Sequence, residues 1–187
     1  SSSYREEWEK RRKLEKEKEI EEQKRILREM EEEKKGKITK FLKEYPPSRI
    51  EAELNEDIID QPSLTKAVSD FLYYQALRYK FPDLPSRPLL ICGPSGSGKT
   101  EVWRVAKKLY SEIFKITFIN AANITSDGWS GSNKLANYLT PHASHSILVF
   151  DEFDKCASPR YSIGGVNTSA DMQSEFLKVI EDNDYKF

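Results

Sequence analysis

Gly93-Pro94-Ser95-Gly96-Ser97-Gly98-Lys99-Thr100 satisfies the pattern GxxxxGK[ST] at every fixed position. Immediately before it, Leu89-Leu90-Ile91-Cys92 is a short apolar run bounded by Pro88 and Gly93. That pattern suits a strand buried on both faces of a parallel sheet. A helix is expected after it, from about Lys99 to Phe114. Strand, glycine-rich turn and helix in that order make a phosphate cradle. Glycine lets backbone N–H groups turn inward without an obstructing Cβ, and the positive end of the helix faces the anion. Lys99 supplies a mobile positive charge to the β- and γ-phosphates, and the Thr100 hydroxyl is the expected Mg²⁺ ligand. The candidate nucleotide contacts therefore run from Gly93 to Thr100, with Glu101 as the next residue along the helix.

Further along, Ile147-Leu148-Val149-Phe150-Asp151-Glu152 is an apolar strand ending in two acids. The carboxyl end of a buried strand is where the ligand crevice of an open α/β sheet lies. Asp151 is placed to bind Mg²⁺ directly or through water, and Glu152 to deprotonate an attacking water. Taken alone, such a pair also fits a solvated turn. Between the two motifs a strand is expected at Ile116 to Asn120 and a loop around Gly128 to Gly131. A helix is expected near Asp171 to Asp182. Strands alternating with helices imply an α/β domain with a parallel sheet.

Upstream, Leu64, Ala67, Val68, Phe71, Leu72 and Ala76 follow the spacing of a helix with one buried face. Residues 1 to 45 differ in kind, being mostly Lys, Arg and Glu with no proline before Pro46. They read as a long charged helix or arm, crossed by i, i+4 pairs such as Glu7 with Arg11 and Glu21 with Arg25. Its apolar residues keep no clean heptad, which leaves a solvated single helix and a dimerising or partner-binding helix both open. Gly36 is an expected interruption, and Tyr45-Pro46-Pro47 an expected end. The domains are then the arm, 1–45, and the α/β part that carries the glycine-rich loop, 46–187.

Of the 187 residues 37% are hydrophobic and the formal net charge is −1. A balance so near zero gives no reason to expect a nucleic-acid or anionic-membrane partner. No apolar stretch approaches the ~20 residues of a membrane span. The two cysteines are far apart and the two histidines lie away from both, an arrangement unlike a zinc site. The expected setting is cytoplasmic, with reduced thiols.

Taken together, the glycine-rich loop, Asp151-Glu152-Phe153-Asp154-Lys155, and Thr125-Ser126-Asp127-Gly128-Trp129-Ser130-Gly131 between them resemble the Walker A, Walker B and aromatic pore-loop segments of the ClpX unfoldases. The order is the same and the spacing similar. Glu56-Asp57-Ile58-Ile59-Asp60-Gln61-Pro62 resembles the stretch that contacts adenine in that family, with Asp60 where a glycine is usual. The resemblance spans roughly residues 48 to 182. It implies an AAA+ ATPase that binds ATP or ADP with Mg²⁺. Such an enzyme works as a homo-hexamer, threads a polypeptide substrate through a central pore and hands it to a protease partner.

Under the resemblance, Gly128, Trp129, Ser130 and Gly131 form the gripping loop, with Ser130 in place of a valine. Trp129 as an ordinary packed aromatic is the competing reading. Ile58 and Ile59 form the apolar wall for adenine, or are plain core. The family's zinc-binding amino-terminal domain is replaced by the charged arm. Phe187 precedes the positions of the sensor-1 strand, arginine finger, sensor-2 arginine and lid, so the resemblance implies a chain that is part of a longer protein, or one whose missing strand comes from elsewhere, and that is weakly active or inactive by itself. In that family the sensor-1 strand lies between the P-loop strand and the Walker B strand, so the three strands expected here should not pair into one sheet. Two other readings stay open at this point: a P-loop nucleotide kinase, and a nucleotide-responsive scaffold whose arm is the working part.

Overall fold

A computed structural model describes residues 2–94, 96–120 and 146–151. Four helices, α1 (Ser2–Glu44), α2 (Pro47–Asp57), α3 (Pro62–Lys80) and α4 (Glu101–Leu109), precede or adjoin two strands, β1 (Lys115–Asn120) and β2 (Ser146–Asp151). The helix expected near Asp171 to Asp182 lies outside the described residues.

α1 is continuous over 43 residues, roughly 65 Å at 1.5 Å per residue. Gly36 does not interrupt it. A glycine in an exposed helix costs only about 1 kcal/mol relative to alanine, too little to break a helix held by its neighbours. From Ser3 to Lys37 every residue is exposed, and ion pairs cross the surface. Glu7 and Arg11 lie 3.9 Å apart as expected, but Arg25 turns to Glu22 and Glu29 rather than Glu21. Such exposed pairs contribute a few tenths of a kcal/mol each.

The last two turns of α1 behave differently. Ile38 and Phe41 are buried, and the Phe41 ring meets Tyr45 in a stack and Tyr110 and Phe114 edge-on at 5.8 and 5.5 Å. Tyr110 and Phe114 follow α4, so the arm is anchored to the far end of the helix that follows the glycine-rich loop. Arg49 closes the joint. Its guanidinium lies 4.0 Å from the Tyr45 ring centroid and donates to the Glu44 carbonyl at 2.8 Å, satisfying an end-of-helix acceptor. The Tyr110 hydroxyl donates to Glu53 at 3.2 Å. Burial, with Glu53 beside it, pushes that hydroxyl well above the ordinary phenol range.

Pro46-Pro47 ends one helix and starts another. Pro47 is the first residue of α2, where its missing N–H is no loss and its fixed φ is already helical. The sequence reading had no helix here. α2 buries Ile50 and Leu54 against Val68, Leu72 and Ala76 of α3. Two small polar residues share that interface, and both are satisfied locally: Thr65 Oγ1 donates to the Gln61 carbonyl and Ser69 Oγ to the Thr65 carbonyl. α4 adds Val102, Trp103, Val105 and Ala106 to the same core. It is shorter than the Lys99 to Phe114 expected, because the chain turns at Tyr110 and packs Phe114 inward.

β1 and β2 pair in parallel over six residues, from Lys115 opposite Ser146 to Asn120 opposite Asp151. Leu89–Cys92, expected as a strand, is not one. A strand exists only through pairing, and among the described residues nothing pairs with this segment: the sheet holds β1 and β2 alone. Leu90 is 72% exposed in consequence. The preceding loop is nonetheless fixed to α3, with the Tyr74 hydroxyl donating to the Pro85 carbonyl at 2.6 Å and the Arg87 guanidinium over the Tyr74 ring.

Replacing Phe41 with alanine should destabilise the protein by about 3 kcal/mol, the usual cost of deleting a buried phenylalanine. Urea denaturation would measure it. Limited proteolysis should show earlier cleavage near residues 38–45, whereas Leu14→Ala on the exposed arm should leave both unchanged.

Candidate functional site

The glycine-rich turn is held by its own backbone. Ser97 N–H and Ser97 Oγ both donate to the Pro94 carbonyl, at 3.3 and 2.7 Å, and helical bonding begins with Val102 N–H to the Gly98 carbonyl at 3.1 Å. Gly96 and Gly98 have φ of 78° and 84°, a left-handed conformation that glycine alone enters without cost. At Gly93 the requirement is room: a Cβ there would lie 3.2 Å from Ser97 Oγ. Lys99 Nζ curls over the loop, donating to the carbonyls of Gly93 and Pro94. The ammonium thus hangs above the turn rather than reaching into solvent. Ser95 lies outside the described residues.

Across the fold, Asp151 ends β2, and its Oδ2 accepts a hydrogen bond from Thr100 Oγ1 at 3.2 Å. Both oxygens are hard donors, and cis ligands of Mg²⁺ at 2.0–2.1 Å sit about 2.9 Å apart, so one cation can take both after a small shift. The donor set fits Mg²⁺. Among the described residues no cluster of three His, Cys, Asp or Glu offers a competing metal cage.

Beside the turn lies an open cleft of about 250 Å³ lined by Asp57, Ile58, Ile59 and Gln61 on one side and by Gly96, Ser97, Gly98 and Glu101 on the other. The two isoleucines part company here. Ile58 is only 6% exposed and belongs to the core, while Ile59 is 76% exposed and presents apolar surface to the cleft. Asp57 and Gln61 line the cleft as well; both lie in the stretch 56–62, but no local pattern there distinguishes them as lining residues. Asp60 has φ of 58°, and among the described residues it is the non-glycine with a left-handed backbone. Its position is where the resembled family has glycine. Glu152 and the segment Gly128, Trp129, Ser130 and Gly131 lie outside the described residues.

Residues 89–186, more than half of the chain, match the ATPase family associated with various cellular activities (AAA). The chain belongs to the AAA family. Among curated proteins it is 33% identical over 109 residues to the mitochondrial ATP-dependent clpX-like chaperone of Saccharomyces cerevisiae, covering 53% of this chain and 21% of that protein. It is 30% identical over 154 residues to the ATP-dependent Clp protease ATP-binding subunit ClpX of Borrelia duttonii, covering 72% and 35% respectively. Spastin of Drosophila persimilis is 32% identical over 130 residues, covering 65% and 16%. The chain therefore spans between about a sixth and about a third of the length of these relatives. No solved structure matches it. The likeness to ClpX is thus supported alongside likeness to other AAA proteins, and no described helix of this AAA chain is long and apolar enough to cross a membrane.

The left-handed backbone at Asp60 gives a sign to its substitutions. Asp60→Gly should be neutral or stabilising by up to about 1 kcal/mol, whereas Asp60→Val, β-branched at positive φ, should cost about 1–2 kcal/mol. Thermal melts of the two variants would check the ordering.

Proposed function

We propose that this AAA chain binds Mg·ATP in the cleft beside the glycine-rich turn and forms the nucleotide-hydrolysing part of a ClpX-like protein-remodelling ATPase. The single observation that carries the nucleotide site is the Thr100 to Asp151 hydrogen bond, which joins the start of α4 to the carboxyl end of β2. On this reading the backbone between Gly93 and Thr100, Ser95 included, encircles the β-phosphate, and Lys99 leaves the Gly93 and Pro94 carbonyls to meet the β- and γ-oxygens. Thr100 and Asp151 hold the metal side. When bound, Mg²⁺ neutralises charge shared by the β- and γ-phosphates. Ile59 covers one face of the base, with Ile58 behind it as part of the core.

Glu152, the next residue after Asp151, takes the proton from the attacking water. Trp129, between Gly128 and the Ser130-Gly131 pair, grips polypeptide by shape and apolar contact, a mode that tolerates many sequences. The working assembly on this reading is a homo-hexamer with a protease partner, in the cytoplasm. Supporting it are the AAA match and the ClpX relatives; the spastin relative supports the ATPase and is neutral on the unfoldase. An acid pair after the strand, with Thr100 against its first member, favours this over a nucleotide kinase, which would transfer phosphate to GMP.

Lys99→Ala should weaken Mg·ATP binding by tenfold or more, on the order of 1.4 kcal/mol per decade, as read by calorimetric titration. In the longest version of the protein Glu152→Gln should retain that binding and lose turnover by about 10²-fold or more. Unchanged turnover would remove Glu152 from its role, and phosphoryl transfer to GMP would remove the unfoldase reading. Trp129→Ala should keep ATP binding and turnover but abolish unfolding of a tagged fluorescent substrate; retained unfolding rejects the pore-loop assignment.

A further inference from the structure

We propose that Glu101 reads the sugar of the bound nucleotide and makes the site prefer ribonucleotides over 2′-deoxyribonucleotides; this rests on the nucleotide-binding reading above. The cleft has two distinguishable ends. Gly96, Ser97 and Gly98 form the phosphate end, and the exposed Ile59 with Gln61 forms the base end. A nucleotide spanning them places its sugar between, and Glu101 lines that same cleft one residue beyond Thr100.

Its carboxylate is oriented. Arg104, one turn along α4, donates from Nη1 to Glu101 Oε2 at 3.2 Å. A carboxylate has about four acceptor sites, so one guanidinium contact leaves capacity for a hydroxyl. The group is chemically odd for this place. An acid beside a triphosphate repels it, and the ordinary role of a first-turn acid, complementing the helix dipole, is a small one. Arg104 offsets part of the repulsion, and an acceptor on the cleft wall gives the acid a use that a dipole-complementing residue facing away from the cleft would not have. Asp57 is the other carboxylate on this cleft and is the rival for the same task.

The test titrates the full chain, in excess Mg²⁺, with ATP and with 2′-deoxyATP by calorimetry, for the unaltered protein, Glu101→Leu and Asp57→Asn. The unaltered protein should bind ATP about fivefold more tightly, as a half-exposed charged hydrogen bond is worth about 1 kcal/mol. Glu101→Leu should bind the two nucleotides equally and bind 2′-deoxyATP at least as tightly as the unaltered protein, because a repelling charge has gone. A variant that merely misfolds would lose both. Equal affinities in the unaltered protein, or a preference that survives Glu101→Leu and vanishes in Asp57→Asn, overturn the proposal while leaving the nucleotide site standing. No saturable binding of either nucleotide to the unaltered protein overturns both.

Discussion

The hydrogen bond from Thr100 Oγ1 to Asp151 Oδ2 spans 51 residues of chain and closes the fold at its chemical end. On one side of it the glycine-rich turn delivers Thr100 to the cap position just before α4; on the other, a parallel strand delivers Asp151 to the edge where its charge can face a ligand. Thr100 is one donor to a half-buried carboxylate, a group that is costly to keep without donors. Each therefore fixes the other, and a metal bound between them would replace one contact with two.

At the opposite end of α4 the constraint is apolar. Phe41 and Tyr45 of the arm sit among Tyr110 and Phe114, with Arg49 joining the end of α1 to the start of α2. α4 is thus held at both termini, by polar contact at the turn and by aromatic packing at its far end. Among the described residues the long charged arm is fastened to the body through its last two turns, and its remaining length is held by its own helix bonds and surface ion pairs. Helix propensity and i, i+4 charge can sustain that length, whereas burial sustains the joint.

The cleft shows how composition and position part company. Ile58 and Ile59 are adjacent and identical in chemistry and both border the cleft, yet one is buried in the core and the other is mostly exposed, because successive residues leaving α2 point in different directions. Asp60 then takes a left-handed backbone to turn the chain into α3, a geometry that glycine adopts freely and aspartate tolerates. That turn brings Asp57 and Gln61 beside the glycine-rich turn.

From the sequence alone came the glycine-rich turn, the acid at a strand end, a helix over about 64–79, both paired strands and the charged arm, since each rests on local spacing, propensity or the conformational needs of glycine. Tertiary structure decided the rest. The apolar run Leu89–Cys92 reads as a strand but pairs with nothing among the described residues, because a strand is a relation between segments and not a property of one. The helix after Pro47 escaped notice because Pro46-Pro47 reads equally as a stop and as a start. Which isoleucine is buried and which is exposed, and which turns of the arm are buried, are matters of contact between residues distant or differently oriented in the chain. No local pattern encodes them, for packing chooses among directions that sequence spacing leaves equal.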